Sequence, residues 1–108
     1  AGPFIRTAGM VGLDPAAGAL VEGGAAAEFS QIMTTLFRIM DSNGLSLRNL
    51  FSATIYATDM GEFAAINGVW ERFVPAEGPL PARTAIGVSA LPLGAAVEAE
   101  FMFVKDQS

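Results

Sequence analysis

PLPARTAIGVSALPLGAAVEAE, residues 79–100, alternates like two strands of a sheet, yet it carries one arginine and two glutamates. Period two along residues 83–91 puts Arg83, Ala85, Gly87 and Ser89 on one face and Thr84, Ile86, Val88 and Ala90 on the other. The bulkier second set is expected to face the core. On the following segment Val97, Ala99, Phe101 and Phe103 make a core face, which leaves Glu98 and Glu100 on the opposite face, where Arg83 is expected to join them. Period alone leaves two readings of that meeting open, a surface ion pair and the start of a binding site.

Upstream, NLFSATIYATDM sets Phe51, Ala53, Ile55 and Ala57 against Ser52, Thr54, Tyr56 and Thr58, as a strand with one wetter face does. FIRTAGMVGLDP reads as an earlier strand stopped by Asp14-Pro15. Between them Phe29, Ile32, Met33, Leu36, Ile39 and Met40 recur at helical spacing, with Gly44 near the C-terminal cap. A second helix is expected after Asp59, an N-cap residue with Glu62 three positions on, and carries Phe63, Ile66, Trp70 and Phe73 on one stripe. The order β, α, β, α, β, β predicts an α+β layer, one sheet covered on one face by two helices, in a single domain over residues 1–108. Its other face then needs cover, and a hydrophobic content of 52% in so short a chain points to burial against other subunits.

Composition excludes much chemistry. With no cysteine and no histidine the chain builds no disulfide, no thiolate nucleophile, no Ser-His-Asp triad and no nitrogen and sulfur zinc site. Carboxylate, arginine, hydroxyl and backbone groups remain. The net charge of −5 and the scattering of the six basic residues speak against nucleic acid as a partner. No apolar run reaches the roughly 20 residues that span a bilayer, and the start lacks signal-peptide order, so no membrane partner and a cytoplasmic location are the expectation. The chain starts at Ala1 rather than methionine, which leaves open a segment upstream. Asp41-Ser42-Asn43-Gly44 imitates part of a calcium loop, but Leu45 and Leu47 stand where oxygen ligands would continue, and a helix end fits better.

PARTAIGV followed by ALPLGAAVEAE resembles the signature of the Rid family, the RidA or YjgF-like reactive intermediate deaminases. GMVGLDPAAGALV and NLFSATIYATDMGEFAAIN resemble two further family stretches, so the resemblance covers nearly the whole chain. It implies a chorismate-mutase-like (YjgF-like) fold assembled as a homotrimer, with sheets turned inward and ligand clefts between subunits. The implied activity is hydrolysis of 2-imino and enamine acids to 2-oxo acids and ammonia, with no metal and no cofactor.

By the same resemblance Arg83 grips the substrate carboxylate and Glu98 activates the attacking water, as catalytic residues. Thr84 and Ala85 orient the imine through the backbone. Asn67 matches a substrate-side asparagine, although a buried asparagine tying a helix to a loop is equally consistent with its place. Ala8 and Met10 depart from the family's Ser-Gly-Gln, and a family strand bearing Gly-Pro-Tyr-Ser has no convincing counterpart before Phe4. Two other readings stand beside deamination: a non-catalytic trimer that binds small carboxylates for sensing, and a ribonuclease, which the acidic composition and absent histidine disfavour.

Overall fold

A computed structural model describes residues 2–106. The elements follow the expected order: β1 (Phe4–Arg6), α1 (Gly24–Ser42), β2 (Leu50–Ala57), α2 (Phe63–Phe73), β3 (Ala82–Gly87) and β4 (Val97–Val104). They form one mixed sheet in the order β1-β4-β2-β3, with β4 antiparallel to both neighbours and β2 parallel to β3. A parallel pair needs a crossover, and α2 supplies it. No described helix is long and apolar enough to cross a membrane.

Both helices pack on one face of the sheet. From α1 the predicted stripe buries Phe29, Ile32, Met33, Leu36 and Met40, and from α2 it buries Ile66 and Trp70. They meet Ala53, Ile55 and Ala57 of β2 and the four predicted core residues of β4, Val97, Ala99, Phe101 and Phe103, which are fully buried. Each buried large side chain stabilises the fold by roughly 1.5–3 kcal/mol relative to exposure. Helix α1 stops where its sequence says it should. Gly44 takes a positive φ of 66°, Leu45 N donates to Met40 O at 2.9 Å and Gly44 N to Asp41 O at 3.4 Å, the bond pattern of a glycine C-cap. The start of α2 is equally local: Asp59 Oδ1 accepts from Gly61 N at 2.9 Å before the helix begins.

Several sequence expectations change. Phe51 does not join the core face, because two residues of β2 oppose one of β4 between Leu50↔Phe103 and Ser52↔Met102. This bulge turns Leu50 inward and leaves Phe51 exposed, in edge contact with Phe4. The first strand is short. Thr7 N still donates to Phe101 O at 2.9 Å, but the register then slips from that of Arg6↔Met102 to an isolated bridge at Met10↔Ala99, so residues 8–9 bow out of the ladder. The strand expected over residues 83–91 ends at Gly87, after which Val88 N makes a last bond to Ala57 O at 2.9 Å.

The faces of β3 are the reverse of those expected. Arg83 pairs with Ala53, Ala85 with Ile55 and Gly87 with Ala57, all core positions of β2. Paired residues point to the same side, so Arg83 lies on the helix side and Thr84 and Ile86 lie on the open side. Bulk misled the sequence reading here. As an edge strand with every residue exposed, β3 carries no core face for hydrophobicity to mark.

Candidate functional site

Arg83 and Glu98 therefore do not share a face within one chain. On the helix side, Arg83 projects from the free edge of the sheet over the ring of Trp70, with Cζ 5.2 Å from the ring centroid. Among the described residues it belongs to no ion pair. It lines an open cleft of about 270 Å³ with Asn67, Trp70, Glu71, Val74, Ala76 and Leu80. The spacing of Asn67 and Trp70 on α2 sets both over the same opening. Asn67 Oδ1 is buried there and has no hydrogen-bond partner among the described residues. Such an acceptor is costly unless a ligand or water donates to it. The cleft can thus take a planar carboxylate on a permanently charged fork and a donor group on Asn67, with apolar walls beside them.

The open side holds the acids. Glu98 pairs across the ladder with Tyr56, which pairs in turn with Ile86, and Glu100 lies in the next row with Thr54 and Thr84. Glu100 is occupied: Arg6 Nη2 donates to its Oε2 at 3.1 Å and the Tyr56 hydroxyl to its Oε1 at 3.1 Å. The hydrogen bond to Glu100, together with desolvation and the charge of the same carboxylate, raises the Tyr56 pKa above its ordinary value and keeps the phenol a neutral donor. Glu98 lies instead against Gly9, in the bowed segment of the first strand. A Cβ built on Gly9 would overlap Glu98 Oε2 and stand 3.0 Å from its Cδ. Among the described residues no group of three or more carboxylates gathers to hold a metal ion.

Thr84 and Ala85 are adjacent, exposed residues of the free edge strand and lie on opposite faces. The structure thus brings Arg83 and Asn67 to one cleft, keeps Thr84 and Ala85 at its rim strand, and sets Glu98 on the far side of the sheet. Sequence reading passed over Arg6, Gly9 and Trp70. The alternation of Arg6 with Ile5 was the available signal for the first. Gly9 and Trp70 had none, since one is defined by an empty Cβ position and the other reads as core.

A small α+β sheet protein in which, among the described residues, an edge-cleft guanidinium makes no ion pair and a glutamate on the reverse face makes none either is the class so defined. The chain belongs to the endoribonuclease L-PSP family, whose model matches residues 1–104. It is 38% identical over 101 residues to the mouse protein named 2-iminobutanoate/2-iminopropanoate deaminase, covering 94% of this chain and 73% of that one. A RutC family protein of Aquifex aeolicus is 36% identical, with 94% and 81% covered. Among solved structures, RidA of an Antarctic Psychrobacter superposes with a TM-score of 0.88 at 32% identity, covering 96% of this chain and 82% of that one. Yeast Mmf1 superposes equally well, at 0.88 and 26% identity, covering 98% and 82%.

Proposed function

We propose that this protein hydrolyses reactive 2-imino acids and their enamine tautomers to 2-oxo acids and ammonia. The observation that carries the reading is Arg83, a guanidinium held in a cleft where, among the described residues, it makes no ion pair. The deaminase names of the relatives support the same reading. Arg83 takes the substrate carboxylate, Thr84 and Ala85 backbone groups orient the imine, and Asn67 Oδ1 accepts its N–H. Glu98 takes a proton from water as the water oxygen bonds to the imine carbon and the C=N electron pair moves to nitrogen. Glu98 returns that proton to the nitrogen, giving the carbinolamine, and then takes the hydroxyl proton and passes it to the nitrogen as C=O forms and the C–N bond breaks, releasing ammonia. Water balances the reaction, and nothing is oxidised or reduced.

One substrate reaches both residues only if Arg83 of one copy meets Glu98 of another, because a single chain holds them on opposite faces of its sheet. The reading therefore includes a homotrimer with the cleft completed between copies. The uncovered face with its exposed Ile86 and the exposed Leu80 at the cleft support such burial. Light scattering at micromolar concentration is expected to give three times the mass of one chain. A stable monomer would remove the shared site. The net charge of −5 speaks against nucleic acid as the partner, and the reading takes the location as cytoplasmic.

The direct test is ammonia release from imines generated in situ by an amino-acid oxidase, with and without the protein. Acceleration is expected. Binding of 2-oxobutyrate without any acceleration would favour the ligand-sensing alternative instead. Gly9→Ala adds a sharper check, because the flexible end of Glu98 must move off the new methyl group. Misplacing a catalytic group by an ångström costs on the order of 10²-fold in rate, so turnover is expected to fall about that far with the fold retained. Normal turnover in Gly9→Ala would mean that Glu98 works from elsewhere or not at all.

A further inference from the structure

Trp70 is the single tryptophan of the chain, 7% exposed on the inner stripe of α2. Packing on the core accounts for its burial. It does not account for the Arg83 guanidinium lying over the ring at 5.2 Å from the centroid. On an edge strand exposed along its whole length, an arginine side chain is otherwise free to sample many rotamers. Stacking restricts it in a particular way. The ring face attracts the cation, and a guanidinium that lays its flat face toward the ring keeps its N–H donors, which radiate in its own plane, open to a carboxylate. The two interactions do not compete.

We infer that Trp70 is a positioning residue that fixes the tilt of the Arg83 fork, so that a 2-imino acid docks its carboxylate edge-on. Trp70 touches the guanidinium and not the reacting carbon, and its effect is on substrate affinity rather than on the water-attack step. The inference rests on the carboxylate role of Arg83 proposed above.

The test compares wild type with Trp70→Phe and Trp70→Leu, using calorimetric affinity for 2-oxobutyrate and the separate KM and kcat of ammonia release. Loss of the ring in Trp70→Leu is expected to weaken binding and raise KM by about 5- to 30-fold, the range of a partly desolvated cation–π contact. Its kcat is expected to stay within about threefold, and Trp70→Phe, which keeps an aromatic face, to remain within about threefold of wild type on every readout. Wild-type affinity in a folded Trp70→Leu overturns the inference and leaves Arg83 its role. A wild type that neither binds nor turns over removes the deaminase reading itself. Should Trp70→Leu fail to fold, the emission of Trp70 in wild type decides on titration with 2-hydroxybutyrate. A change that is lost in Arg83→Ala supports the inference, and unchanged emission in a wild type that binds the acid overturns it.

Discussion

Arg83→Ala is expected to abolish imine hydrolysis while leaving secondary structure, melting temperature and assembly as in wild type. The side chain is exposed, stands on an edge strand and belongs to no ion pair among the described residues, so little of the fold depends on it. What it offers is two parallel N–H donors to one carboxylate. Hydrogen bonds to a charged group contribute roughly 1.5–3 kcal/mol each, so losing a bidentate pair is expected to cost about 10²- to 10⁴-fold in kcat/KM. Arg83→Lys is expected to recover little, because an ammonium is a point charge and does not spread flat over an indole as a guanidinium does. Full activity in the alanine variant would end the role assigned here. Dissociation of the oligomer would instead make Arg83 an assembly residue.

The elements of the fold were legible because each is written in local chemistry. The α1 stripe, the Gly44 cap, the Asp59 cap and the alternation of β4 all read directly from residue type and spacing. The faces of β3 were not legible, since alternation identifies two faces but only a buried neighbour says which is inward. Parallel pairing with β2 supplies that neighbour, and pairing is a long-range fact. Phe51 failed for a related reason: a bulge shifts parity by one residue, and no residue type announces it. Of the site, the motif residues could be named from resemblance, but their separation by the sheet could not. That separation excludes an ion pair between Arg83 and Glu98 within one chain, and only the activity proposed above would call for two copies to bring them to one substrate.

Glu98→Gln is expected to keep carboxylate binding and lose turnover, which separates catalysis from binding. The amide preserves the shape that fits against Gly9 and leaves the Arg83 fork unchanged, so affinity for 2-oxobutyrate by calorimetry is expected to match wild type. An amide is a very weak base, however, and general-base catalysis contributes about 10²- to 10⁴-fold, so ammonia release is expected to fall by that factor. Glu100 is the internal control. It shares the strand and the open face with Glu98, but its oxygens already accept from Arg6 and Tyr56, which leaves it poorly placed to receive a proton from water. Glu100→Gln gives up an exposed ion pair, worth at most about 1 kcal/mol of stability, and is expected to turn over nearly as wild type. Equal losses in the two variants would point to the charge of the face rather than to one base. Normal turnover in Glu98→Gln would move water activation to another group, while the grip of Arg83 on the carboxylate could stand unchanged.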